Sequence, residues 1–287
     1  MNATFNLSGT FVVMGVLNSY SLAWQIAERL RRSGADVIVT CQSLDLLPNV
    51  KKLGEKVGIR SIFVCDMEKS EDMDAFFAEL ANHAPIAGFV HGAAYSDPKE
   101  LTGRLVDMSR DNFVRTMVVS CYTFLDCCRR VEPLMENGGK ILTLTFGASL
   151  ASCDNYNGMG LAKAALEAAV RAAARDFGGR EIAVNALSPT TMRTAAARSV
   201  KDPYPLAYTW IATSLFGRIT KPEEVAAWGA FLLSPLSDGM TGEVVYIDCG
   251  KRSSGMPPKR HAHLVAEMNG KYNPSSATTS AAATTGE

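Results

Sequence analysis

Apolar residues fall along the chain in two rhythms. Short unbroken runs, TFVVMGV (10–16), DVIVTCQ (36–42), SIFVCDM (61–67), IAGFVHGAA (86–94), GGKILTLTF (138–146), IAVNALSP (182–189) and GEVVYIDCG (242–250), have the length and β-branched content of buried strands. Longer amphipathic stretches separate most of them. In SLAWQIAERLRRSG, Leu22, Ile26, Ala27 and Leu30 recur at helical spacing and Gly34 supplies the stop. MDAFFAELANHA, RDNFVRTMVVSCYTFLDCCRRVEPLM, the alanine-rich GMGLAKAALEAAVRAAARDFGG and KPEEVAAWGAFLLSP read as further helices.

Continuous rather than alternating apolar strands, each followed by a helical stretch, call for one parallel sheet covered on both faces. With right-handed crossovers this gives an α/β fold, a doubly wound (Rossmann) seven-stranded parallel sheet. It is expected as a single dinucleotide-binding domain over residues 1–255. PSSATTSAAATTGE holds almost no bulky apolar group, so 256–287 is expected as a disordered low-complexity tail, with the two histidines of KRHAH incidental to it.

Composition narrows the function classes. The chain has 287 residues, and its 29 basic and 29 acidic side chains cancel, so neither nucleic acid nor a membrane surface is an expected partner. Seven cysteines, an odd number set in apolar runs, suit a reducing cytoplasm better than a disulfide framework, and their spacing predicts no metal site. MNATFNLSGTFVVMGVLNSYSLA has neither the basic start nor the long apolar run of a secretory leader, and no stretch has the length of a membrane span.

A dinucleotide needs its pyrophosphate held at the first strand-to-helix turn. That turn is GVLNSYSLA, from Gly15 to Ala23, with one glycine where the usual fingerprint has three. Ser19 and Ser21 can cap the helix or bond phosphate. Gln42, ending the second strand, brings no cation for a 2′-phosphate, and Asp45 follows it, which favours NAD(H) over its phosphorylated counterpart. Asp66 stands where a carboxylate accepts from an adenine amino group, with Met67 beside the ring; a helix-capping aspartate fits the same spacing.

In YNGMGLAK, Tyr156 opens the alanine-rich helix and Lys163 follows after close to two turns, so both side chains are expected on one face. An ammonium close to a phenol lowers its pKa, as general acid catalysis would use. The Tyr-x6-Lys pair, GVLNSYSLA and YNGMGLAKAALEAAVR resemble the short-chain dehydrogenase/reductase superfamily, and within it the divergent NADH-dependent enoyl-acyl-carrier-protein reductases of bacterial fatty-acid synthesis. VNALSPTTMRTAAARSVKD and GEVVYIDCG are similar to that family's substrate-loop segment and last strand, so the resemblance spans roughly residues 8–250.

The resemblance implies the following roles. Tyr156 would bond the thioester carbonyl and stabilise the enolate, and Lys163 would bind the nicotinamide ribose. Gly15, Ser21 and Leu22 would line the pyrophosphate, Gln42 the adenosine end, and Asp66 and Met67 the adenine. Gly92 would approach the ribose, and Thr194 the pyrophosphate or the nicotinamide amide. Ala94, Tyr95, Phe146 and Met159, with Tyr156, would form the acyl pocket. A short flap, KDPYPLAYTWIATSLFGRI, would cover the acyl chain; Pro203 and Pro205 are expected to break any helix in it, and Tyr204, Tyr208 and Trp210 to supply an apolar wall or an oligomer contact. A homotetramer acting on acyl carrier protein is implied. Three departures stand out: Phe146 replaces the family's second tyrosine, GAA (92–94) its SIG-like turn, and PTT (189–191) its AGP element.

Two other readings remain open. A carbonyl reductase or alcohol dehydrogenase of the same superfamily would need a hydroxyl about thirteen residues before the tyrosine, where Thr143 stands with Thr145 and Ser149 nearby, but the NAG turn and helix asparagine of those enzymes are absent. A catalytically weak NAD-binding regulatory protein would accommodate Phe146 and the altered loops. His91, at a buried strand end, reads as a satisfied core group.

Overall fold

The computed structural model describes residues 7–192 and 204–271. All seven expected strands are present: β1 (Thr10–Met14), β2 (Asp36–Cys41), β3 (Ser61–Val64), β4 (Ile86–His91), β5 (Gly139–Leu144), β6 (Ile182–Pro189) and β7 (Val244–Ile247). They form one parallel sheet in the order β3-β2-β1-β4-β5-β6-β7. The order reverses between β1 and β4, and ligands of such sheets bind at the carboxyl ends of the strands flanking that point.

Helices cover both faces. On one lie α1 (Leu22–Arg32) and α2 (Leu47–Val57); α3 (Ser70–Leu80), α4 (Arg110–Met117), α5 (Thr123–Val131) and α6 (Asn157–Phe177) lie on the other. After β6 come α7 (Tyr204–Thr213) and α8 (Pro222–Leu232), and α8 packs beside α1. Alternate strand residues feed two cores. Val12, Phe89, Ile141 and Val184 face α3, α5 and α6, and Val13, Val90, Leu142 and Leu187 face α1 and α8. The sheet thus has no wet face, which is why its strands read as unbroken apolar runs.

Between β2 and β3 runs α2, a helix the sequence reading does not include: Pro48 sits in the first turn, where a missing N–H costs nothing, and Gly58 closes the helix at φ 79°. Two expectations need correction. Pro205 likewise does not break a helix; it lies in the first turn of α7, and Pro203 falls outside the described residues. The tail expected from residue 256 is not structureless over its first part. A 3-10 turn (Lys259–His261) leads into α9 (Ala262–Lys271), which packs on α7. His261 is buried, with Nδ1 3.3 Å from the Ala212 carbonyl oxygen, so it is a packed group rather than part of a loose tail.

Candidate active site

At the strand-order reversal two glycines meet. Gly15 follows β1 with φ 88°, and a Cβ on it would lie 2.9 Å from the Gly92 carbonyl. A Cβ on Gly92 would lie 2.6 Å from the Met14 oxygen and 2.9 Å from the Ala23 methyl. Side chains at either position would fill the crevice that a dinucleotide needs and force the turns apart. One glycine on each turn thus does what the usual three do on one. The two turns are joined by Gly92 N–H donating to the Met14 oxygen at 3.1 Å.

Ser21 is the residue before α1, but its hydroxyl does not cap forward. Its Oγ accepts from the Leu17 and Asn18 N–H groups, both at 3.1 Å, and curls the turn back on itself. The first N–H groups of α1 therefore keep the free positive helix end that binds anions. At the other end of the crevice, Gln42 Nε2 lies 3.4 Å from Asp66 Oδ1. Asp66 also accepts from the Glu68 N–H at 3.2 Å; it makes a tight turn and does not cap α3, whose N-cap is Lys69. Gln42, Asp45, Asp66 and Lys69 line a cleft of about 620 Å³. Its one cation, Lys69, stands 3.9 Å from Asp66, which keeps the negative balance expected to disfavour a 2′-phosphate. Met67 packs half-buried against the core edge.

Tyr156 lies immediately before α6 in a non-helical conformation, and Lys163 sits inside the helix. The Lys163 ammonium donates to the Leu144 carbonyl at 2.8 Å, at the carboxyl end of β5. The expected electrostatic effect of Lys163 on Tyr156 is not what dominates. Burial, with Cys153 nearby, pushes the phenol well above its ordinary value, so at neutral pH it is a neutral hydrogen-bond donor. Burial pulls the Lys163 pKa down to about 8. His91, behind it, is pulled to about 3 by burial and then by Lys163, and its ring is satisfied by Thr143 and Thr123 hydroxyls at 3.1 and 2.9 Å.

The Tyr156 ring separates two apolar clusters. Ala94, Leu101 and Met159 pack on one side; Phe146, Ala148, Cys153 and Trp210 pack on the other. Phe146 meets Tyr156 edge-on at 5.0 Å between centroids and stacks on Trp210 at 4.9 Å. Trp210 can approach because residue 147 is glycine: a Cβ there would lie 2.8 Å from the indole. The flap's expected apolar wall is thus met by Trp210. Tyr95 differs from the other expected pocket residues. Its ring is covered by the Arg115 guanidinium at 4.1 Å, and that guanidinium is bound at 2.8 and 2.9 Å to Glu68, beside the adenosine end. Thr194 lies outside the described residues.

Sequence reasoning missed three residues that hold this arrangement. The expected single helix from Arg110 is interrupted by a π segment (Val118–Tyr122), a distortion common at functional sites. It directs Ser120 at Tyr95, whose N–H and carbonyl both bond the hydroxyl, at 3.0 and 3.1 Å. Asn157 Nδ2 donates toward the carbonyls of Thr102 and Gly103, each at 3.2 Å, and clamps the loop that carries Leu101. The buried Glu167 carboxylate accepts from Thr145 at 2.7 Å and Ser149 at 2.6 Å, fixing the stretch that bears Phe146. A polar residue on the buried side of a helix pattern, as Glu167 is, was the available signal.

Comparison with known proteins agrees with this geometry. The family model described as Enoyl-(Acyl carrier protein) reductase matches residues 15–252. An enoyl-[acyl-carrier-protein] reductase [NADH] 2 of Rhizobium meliloti is 41% identical over 86% of this chain and 92% of its own length. A FabI enoyl-[acyl-carrier-protein] reductase [NADH] of Rickettsia bellii is 38% identical over 85% of this chain and 94% of its own. Among solved structures, the acyl-carrier-protein reductase of Anaplasma phagocytophilum in complex with NAD superposes with a TM-score of 0.83 at 39% identity, covering 87% of this chain and 96% of that one. With the glycine crevice, the tyrosine and the lysine in place and the match running through nearly the whole described domain, the chain belongs to the enoyl-(acyl carrier protein) reductase family.

Proposed function

We propose that this protein reduces the carbon–carbon double bond of an enoyl group carried as a thioester on acyl carrier protein, with NADH as reductant. The observation that carries the reading is the Tyr156 phenol set between two apolar clusters, one of which contains Ala94, two residues past the crevice glycine Gly92. Gly15, Ser21, Leu22 and Gly92 would hold the pyrophosphate and ribose, Gln42, Asp66 and Met67 the adenosine, and Lys163 the nicotinamide ribose, with Thr194 completing the site. The residues fit the cofactor on structural grounds: both crevice walls are glycine where a Cβ would intrude, and a free helix N-terminus faces it.

When bound, NADH supplies the hydride that adds to the β-carbon of the enoyl group. Negative charge then gathers on the thioester oxygen, and the Tyr156 hydroxyl donates to it. A donor already held in a low-dielectric site stabilises that oxygen without reorganising. Ala94, Phe146 and Met159 exclude water and align the acyl chain. The carbonyl-reductase reading requires a free hydroxyl near the phenol, but Thr143 is fully buried and bonded to His91, and Thr145 and Ser149 both donate to Glu167. Mixing the protein with NADH and a crotonyl thioester should give rapid loss of NADH absorbance at 340 nm. Turnover of a 3-ketoacyl thioester instead, with crotonyl thioester inert, would overturn the assignment.

Among the described residues no helix is long and apolar enough to cross a membrane. We place the protein in the cytoplasm as a homotetramer. Support for self-association is the exposed apolar face formed by Phe113, Val118, Tyr122 and Leu125 on the α4–α5 helix with Leu161 on neighbouring α6. Such a patch marks a contact surface. Sedimentation should show one species of about four times the 30.8 kDa chain mass; a monomer at micromolar concentration would exclude it.

A further inference from the structure

Behind Trp210 lies a second cleft, of about 490 Å³, that the proposed reaction does not use. Its lining includes Gly147, Cys153, Trp210 and Tyr246, and two cations, Lys251 and Arg252, share it with the carboxylates of Asp154 and Asp248. The Lys251 ammonium lies 5.9 Å from the Trp210 ring centre, and the Arg252 guanidinium lies 4.2 Å from that of Tyr246. Neither forms an ion pair among the described residues. The neighbouring Asp248 carboxylate is spent on the Gly250 and Arg252 backbone N–H groups, at 3.0 and 2.8 Å. Two cations laid on aromatic faces, with the Ser152 hydroxyl in the same cleft, suit an anionic oxygen cluster.

Its distance from the phenol brings one anion of the proposed substrate within reach. Three steps, Tyr156 to Phe146 at 5.0 Å, Phe146 to Trp210 at 4.9 Å and Trp210 to Lys251 at 5.9 Å, set an upper limit on the separation of the Lys251 ammonium from the Tyr156 ring. A pantetheine arm has thirteen bonds from thioester sulfur to phosphorus, and at the extended-chain pitch these span about 16 Å. We propose that the cleft headed by Lys251 and Arg252 binds the phosphate of the substrate's pantetheine arm. The inference rests on the enoyl-thioester reading. The phosphate has two sources, carrier protein and coenzyme A, and both carry the same arm.

The test uses the double variant Lys251→Gln, Arg252→Gln, which keeps side-chain length and removes charge, and three crotonyl thioesters: of acyl carrier protein, of coenzyme A and of N-acetylcysteamine, which has no phosphate. The variant should raise KM about three- to tenfold for the first two, leave kcat unchanged, and leave the N-acetylcysteamine ester unaffected, as expected of partly exposed charges. Melting temperature and NADH affinity should match the parent. A change for carrier protein alone would mean that the cations read its surface and not the arm. An equal change for all three would mean that the rings, not the charges, are disturbed, and no change would leave the cleft without this ligand. Each of these overturns the inference. If the parent protein reduces none of the three, the enoyl-reductase reading itself fails.

Discussion

Tyr156→Phe should lower kcat for a crotonyl thioester by about a hundredfold, the cost of removing one preorganised donor to a developing oxyanion, and should leave folding and NADH affinity alone. The ring itself is structural: it packs edge-on against Phe146 and divides two apolar clusters, and phenylalanine preserves both contacts. What disappears is the hydroxyl. A phenol is neutral at physiological pH and burial raises its pKa further, so it gives a full hydrogen bond throughout that range and does not compete as an anion with the charge it must stabilise. The loss should therefore appear in kcat and kcat/KM together, with little change in KM, the mark of an interaction made mainly in the transition state. Steady-state kinetics on the variant decide it. Turnover within twofold of the parent would remove Tyr156 from the chemistry and leave it a packing residue.

The sheet was legible because its chemistry is repetitive. A strand buried on both faces must be apolar at every position, and seven such runs announce themselves. The helices were legible where their faces alternate and failed where proline intervened. Pro205 reads as a break, yet it occupies a first turn, as Pro48 does in α2, where the ring's fixed φ fits and no hydrogen bond is lost. The site was legible in its types more than in its workings. Tyr156, Met159, Ala94 and Phe146 do assemble, and Gly15 does meet Gly92. The sense of the electrostatics was not legible: spacing placed an ammonium near a phenol but could not show that burial outweighs their attraction. The π segment was equally hidden. An inserted residue in a helix leaves the composition of VVSCY unchanged, so the aim of Ser120 at Tyr95 emerges only in three dimensions.

Lys163→Met should make the empty protein more stable while weakening NADH binding by about thirtyfold, the loss of charge-assisted hydrogen bonds to the ribose in the proposed site. The first half follows from burial. Lys163 is 4% exposed and bonds the Leu144 oxygen, and among the described residues it has no carboxylate within ion-pair distance. Its pKa falls to about 8 on folding, from an unfolded value near 10.4. The unfolded chain thus binds the proton more tightly, and below about pH 8 the folded state bears the whole cost of burying the charge, about 3 kcal/mol. As pH rises from 8 to the unfolded value that cost disappears, so this group makes the protein more stable at higher pH. A methionine of similar length has no such charge. Allowing for the lost bond to Leu144, the variant should melt about 5 °C above the parent at pH 7, and the gap should close by about pH 10. Paired melting curves across that range, with NADH titrations at pH 7, check both halves. A gap that stays constant with pH would show that the ammonium is not strained by burial. Lys163 keeps a charge the fold would be more stable without, and in the proposed site that charge binds the nicotinamide ribose.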